Sequence, residues 1–260
     1  MTTTTTPLDP DLRTALKRLK LGKMLDTLPE RLAIAKQQKM GHQELLLLVL
    51  HDEISRRDAA AATSRSERAR LDPEMQLERW DSTSKVTYDR DVWNDLVSLR
   101  FLDEHAHVAI VGPVGTGKTF LAHALGHIAA RRGHSVLAVS ADHMLKGLKH
   151  ARLDNSHGQE MKKLVAVDLL IVDDFALDVM DQLESRDVAE IMGERHRAGS
   201  VIVTSNRGPD EWLATFADPV RAQSTIDRFV NNAYDLVIDG ESYRPRLKPN
   251  RRAGQTAHGR

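Results

Sequence analysis

Apolar residues recur at intervals of three and four along the first quarter of the chain: Leu12, Leu16 and Leu19, then Leu28, Leu32 and Ala35, then Leu45, Leu48 and Val49. That spacing lines one stripe of a helix, and Gly and Pro are scarce, so residues 1–71 are expected to form a small all-helical domain. Gly22, Pro29 and Gly41 punctuate it into helices that can pack as a bundle. The periodicity lapses over 72–85, where Pro73 and Asp81-Ser82-Thr83-Ser84 supply turn chemistry, and residues 72–88 read as a linker. A helix over 89–101 opens a second domain. Short apolar runs then follow at 108–111, 135–139, 169–173 and 200–205, separated by helical stretches. Runs that are continuously apolar suit strands buried on both faces, so an α/β domain with a parallel sheet flanked by helices is expected over 89–247. A basic, disordered tail over 248–260 completes the chain, and no internal repeat is evident.

A length of 260 residues allows one good α/β core and a smaller domain beside it. The absence of cysteine removes disulfides and thiolate metal sites, which suits a reducing compartment. The longest purely apolar run, 45–50, is far short of a membrane span, and the first seven residues lack the features of a signal peptide. A cytoplasmic protein with no membrane partner is expected. Net charge is zero, which by itself argues against a nucleic-acid partner. The basic residues are clustered, however: Arg13, Lys17, Arg18, Lys20 and Lys23; Arg56, Arg57, Arg65, Arg68 and Arg70; Arg244, Arg246, Lys248, Arg251 and Arg252. Each cluster reads either as a solvated face or as part of a polyanion surface.

Candidate chemistry starts at Gly112-Pro113-Val114-Gly115-Thr116-Gly117-Lys118-Thr119, directly after the apolar run 108–111 and just before a helical stretch opening at Phe120. Glycines in this pattern let backbone N–H groups curl around phosphates, Lys118 reaches the β and γ oxygens, and the Thr119 hydroxyl can ligate Mg²⁺. The helix that follows turns its positive end toward the same anion. ATP with Mg²⁺ is the expected ligand. The run Leu169-Leu170-Ile171-Val172 delivers Asp173 and Asp174 to the strand end where α/β sheets place ligands. Asp173 would share Mg²⁺ with Thr119, and Asp174 would orient the attacking water. The strand Val201-Ile202-Val203-Thr204 carries Ser205 and Asn206 to that same edge, where Asn206 either contacts the γ-phosphate or caps the turn before Gly208-Pro209. Arg228 and Arg244 each follow a stretch expected to be buried, and either can serve as an arginine finger or as a surface ion pair.

Taken in order, GPVGTGKT, LLIVDD, VTSN, IDRF and GESYR resemble the IstB and DnaC group of AAA+ ATPases. The run 122–127, the segment TSNRGPDEW over 204–212, and GESYR resemble the IstB-type helpers of insertion sequences more closely. The resemblance spans roughly residues 8–246. It implies an AAA+ P-loop ATPase that assembles as a ring or spiral on duplex DNA and recruits or stimulates a cognate transposase. It also implies a sensor role for Asn206, an arginine finger supplied to the neighbouring subunit by Arg228, and a second-sensor role for Arg244. A DnaC-like loader of a replicative helicase, acting on single strands, shares nearly all these residues. A monomeric P-loop kinase is the reading from another class.

Two departures carry consequences. Many AAA+ proteins have Glu where Asp174 stands, so slow hydrolysis, a switch more than a motor, is expected. The sequence stops soon after Arg244, so a helical lid is not expected and Arg244 has to reach the nucleotide from the core domain. His123 and His127 lie four apart on one helix, but Ala124 replaces the Glu of a zinc-binding HExxH, and helix-surface histidines are the better reading. Lys146, Lys149, His150 and Arg152 read either as solvated or as DNA-facing.

Overall fold

The computed structural model describes residues 8–81 and 83–247; the expected tail over 248–260, with Lys248, Arg251 and Arg252, lies outside them. The chain forms two compact units, Met1–Ser64 and Arg65–Arg260.

In the first unit α1 (Pro10–Arg18) starts where the Asp9 carboxylate accepts from Asp11 N and Leu12 N, with proline at the first helical position. A short 3₁₀ turn, Gly22–Asp26, leads to α2 (Leu28–Gln38), which ends at Lys39 in the left-handed conformation, φ 53°. The long α3 (His42–Arg68) follows. The core here is small: Met24, Leu28 and Val49, with Leu8, Leu16, Leu21 and Leu45 packed on them. Polar ties supplement it, with Arg31 donating to Asp52 at 2.6 Å and the buried Glu53 carboxylate bridging Arg56 and Arg57.

The second unit contains β1 (Val86–Thr87), α4 (Arg90–Ser98), α5 (Arg100–Asp103), β2 (His107–Val111), α6 (Lys118–Arg131), β3 (Val136–Ser140), α7 (Ala141–Leu153) and α8 (His157–Val165). It continues with β4 (Leu169–Asp173), α9 (Gln182–Arg195), β5 (Ser200–Ser205), α10 (Pro209–Trp212), α11 (Pro219–Val230), β6 (Ala233–Val237) and β7 (Asp239–Gly240). Five strands form a parallel sheet in the order β3-β4-β5-β2-β6, and β1 pairs antiparallel with β7. One face of the sheet, with Val108, Ile110, Ile171 and Ile202, packs on Leu121, Leu125 and Ala129 of α6. On the other face Ala109, Leu170, Val172 and Val203 meet Leu148, Val188, Ile191 and Phe229 of the remaining helices. Burial on both faces is why these strands read as unbroken apolar runs.

Three features differ from the pattern reading. The helix expected over 89–101 is broken at Leu99, which is left-handed at φ 66° and separates α4 from α5. β6 was not expected, because Ala233-Tyr234-Asp235-Leu236-Val237 mixes polar and apolar positions and Leu236 alone is fully buried. Within the expected linker, Leu77, Trp80, Val86 and Tyr88 pack against the core around α6. These contacts come from a few large side chains at irregular spacing, which leaves no period to read.

Candidate nucleotide site

The loop between β2 and α6 is held in shape by its own atoms and by two neighbouring segments. Gly117 caps α6 in the left-handed conformation, φ 97°, and a Cβ there would lie 2.8 Å from the Trp80 ring. Gly115, φ 84°, is pressed by Ser242, whose Oγ would stand 2.1 Å from an added Cβ. Only glycine combines that backbone with that closeness. Tyr243 N donates to Gly115 O at 2.8 Å, so the 240–244 segment straps the loop, and the pairing of Val86 with Gly240 ties the strap to the 80–88 segment. A cavity of about 80 Å³ opens between Trp80, Val86, Thr116, Phe120 and Tyr243, with the Trp80 and Phe120 rings 5.2 Å apart.

Lys118 Nζ donates to Gly112 O and Pro113 O, both at 2.8 Å, which curls the ammonium back under the loop. Burial pushes its pKa below the ordinary lysine value; Asp174 and Asp173 oppose that shift, and the positive Arg244 adds to it. Thr119 Oγ1 donates to Asp173 Oδ1 at 2.9 Å. Thr204 Oγ1 donates to the same Oδ1 at 2.5 Å and accepts from Asp174 N at 3.0 Å. Asp174 is left-handed, φ 53°, so the chain turns sharply at the second carboxylate. Desolvation and then the Asp173 charge raise the Asp174 pKa, against Lys118 and Arg244.

Lys118, Thr119, Asp173, Asp174 and Arg244 therefore share one electrostatic neighbourhood at the C-terminal edge of the sheet. Asn206 directly follows β5 at that edge and is exposed. Arg228 is elsewhere: it sits in the last turn of α11 and lines a groove of about 500 Å³ with Arg186, Glu190, Asp218 and Arg221. It pairs with no carboxylate among the described residues. His123 and His127 are anchors: His123 Nδ1 accepts from Asp72 N, and His127 bonds Asp72 O and Ser66 Oγ. No cluster of three or more metal-ligating His, Cys, Asp or Glu side chains occurs among the described residues. Lys146, Lys149 and Arg152 pair with Asp142, Asp181 and Asp187. Sequence reasoning gave Thr204 no role, although it lies in β5 two positions before Asn206.

A phosphate loop leading into a helix, a carboxylate pair on the neighbouring-but-one strand and a five-stranded parallel sheet define the AAA+ class of P-loop ATPase. The fold is similar to that of the replication initiator DnaA bound to AMPPCP and single-stranded DNA, with a TM-score of 0.54 and 23% identity over 66% of this chain and 51% of that one. This chain thus spans about half the length of that initiator. The pattern of the IstB-like ATP-binding protein family matches residues 14–253, and the chain belongs to that family. It is 41% identical to an insertion-sequence ATP-binding protein of Mycobacterium tuberculosis, over 94% of this chain and 97% of that one. Identity to the IS21 insertion-sequence ATP-binding protein of Pseudomonas aeruginosa is 33%, over 94% of this chain and 91% of the other. No helix among the described residues is long and apolar enough to cross a membrane.

Proposed function

We propose that this protein is an ATP-dependent helper of transposition that oligomerises on duplex target DNA and recruits or stimulates its cognate transposase. The observation that carries the oligomeric part is the separation of Arg228 from the chain's own phosphate loop, on a groove between α9 and α11 that pairs it with no carboxylate. A guanidinium so placed can serve the nucleotide of a neighbouring subunit, where it would offset charge developing on the transferred phosphoryl group. The insertion-sequence origin of the relatives supports the transposition setting.

In this reading Lys118 leaves Gly112 O and Pro113 O to hold the β- and γ-phosphates, and the loop N–H groups cradle the rest. Thr119 and Asp173 offer a hydroxyl and a carboxylate in mutual contact, hard oxygen donors that fit Mg²⁺, which keeps several waters and phosphate oxygens beside one or two protein ligands. When bound, the ion would supply positive charge to neutralise the phosphates. Asp174 orients the attacking water, Asn206 reports the γ-phosphate, and Arg244 contacts the nucleotide of its own subunit. The cavity beside Trp80 and Tyr243 receives part of the nucleotide away from the phosphates. ATP-bound subunits align their basic surfaces along DNA, and hydrolysis loosens the subunit contact and releases it.

The test is binding to a long duplex and to a single strand of equal length, with ATP, with ADP and without nucleotide, while particle size is followed. ATP-dependent assembly on duplex is expected. Equal affinity in ATP and ADP refutes the coupling, and a preference for single strands favours a helicase loader.

A further inference from the structure

Thr204 lies at the centre of the candidate site and within the VTSN run, although the sequence reading gave it no role. Asp173 follows Ile171 by two residues and Thr204 follows Ile202 by two, so both project on the sheet face that carries α6. Val172 pairs with Val203 in the parallel ladder, which makes Asp173 and Thr204 the next neighbours across β4 and β5. The buried Thr204 hydroxyl donates its one proton to Asp173 Oδ1 and accepts from Asp174 N. Its carbonyl accepts from Phe175 N at 2.8 Å. One residue therefore holds the first carboxylate by its side chain and the left-handed turn at the second by its hydroxyl and backbone.

We infer that Thr204 is a positioning residue for both carboxylates, setting the Mg²⁺ affinity of the site through Asp173 and the placement of the water-orienting group through Asp174. The inference rests on the Mg²⁺–ATP reading above. Removal of the hydroxyl leaves the Asp174 N–H without its acceptor and Asp173 Oδ1 with the Thr119 donor alone, so both side chains are freed to move. Partners that orient a metal ligand from behind typically alter metal affinity or activity by about 10- to 100-fold when removed. Serine keeps the hydroxyl and loses only a methyl group.

The experiment titrates Mg²⁺ into the full chain with a fluorescent ATP analogue and separately measures steady-state hydrolysis. For Thr204→Val, the Mg²⁺ concentration that half-saturates the tightening of nucleotide binding is expected to rise about tenfold or more, and kcat to fall by a similar factor. Binding of the analogue in EDTA stays within about twofold of the parent, because the loop and Lys118 are untouched. Thr204→Ser is expected to remain within about threefold of the parent in both readouts. An unchanged Mg²⁺ dependence in Thr204→Val overturns the inference. So does a serine variant that shifts the Mg²⁺ titration by about tenfold or more, a result that can be read even where valine prevents folding. A parent that binds nucleotide with no response to Mg²⁺ overturns the underlying Mg²⁺–ATP reading as well, which separates the two failures.

Discussion

Arg244 and Arg228 were each expected to follow a buried stretch, yet residues 239–242 and Asp227 are exposed, and the surroundings of the two arginines differ. Arg244 belongs to the strap whose Tyr243 N binds Gly115 O, and its charge acts on Lys118 and Asp174. Arg228 lies on a helix on the opposite sheet face, beside Phe229, whose ring stacks on His107 at 5.1 Å. The phosphate-loop end is dense with internal bonds: Lys118, Thr119, Asp173 and Thr204 all spend their polar atoms on one another or on the loop. The groove around Arg228 leaves its guanidinium with no carboxylate partner among the described residues. The contrast teaches that two arginines alike in the sequence reading stand apart in the fold: Arg244 beside the chain's own phosphate loop, Arg228 on a groove of α9 and α11 away from it.

The largest expected effect tests that division directly. Arg228→Ala is expected to leave ATP affinity within about twofold and to reduce hydrolysis at high protein concentration about a thousandfold, the range of an arginine finger. Mixing it with Lys118→Ala subunits should restore part of the activity, since each variant supplies what the other lacks. No recovery on mixing, with both variants folded, would place Arg228 outside the reaction. Next in size, Lys118→Ala is expected to weaken ATP binding about a hundredfold, or ~3 kcal/mol, by calorimetry. A comparable loss in Arg228→Ala would erase the distinction between the two regions.

Acid should cost stability through His107, whose ring stacks on Phe229 of α11. Burial holds the His107 pKa down to about 4, while Val201 N donates to its Nδ1. The unfolded chain therefore takes up a proton at His107 first, and stability falls as pH drops from the ordinary histidine range toward 4, with the loss complete below that value. The cost at pH 5 relative to pH 7 is on the order of 2 kcal/mol for a pKa near 4 against an ordinary 6.5. Urea midpoints at the two pH values measure it, and His107→Gln, which keeps an acceptor for Val201, should remove most of the difference. The same pH dependence in that variant would assign the loss to other groups. The smallest effect concerns Asp174. Its backbone is fixed by Thr204 and Phe175, so a longer side chain should reach the water better, and Asp174→Glu is expected to raise turnover about tenfold. An unchanged or lower rate refutes slow hydrolysis by a short carboxylate.

Much of the second unit was legible in the chain. The loop from Gly112 to Thr119, the runs that became β2, β3, β4 and β5, and the carboxylates at the end of β4 are local patterns. Each is dictated by what a few consecutive residues need: backbone freedom around phosphate, or burial on two faces. The helical periodicity of the first unit was readable for the same reason, and the break at Leu99 was not, because a single left-handed residue leaves no compositional mark.

Only the tertiary structure decided which strands lie side by side, and with that the site's inner wiring. Thr204 reaches Asp173 because β4 and β5 are adjacent, although 31 residues separate the two. Arg195 is wholly buried, its Nη1 and Nη2 donating to the carbonyls of Leu164, Val165, Val167, Asp168 and Ser200, an arrangement no spacing announces. Trp80 and Tyr88 anchor residues that read as linker, and Arg228 parts from Arg244 because α11 and the 240–244 strap lie on different sides of the sheet. Sequence patterns record the demands a segment places on its own backbone and faces. Partners brought together by crossover connections are set by the packing of the whole sheet, which no single segment encodes.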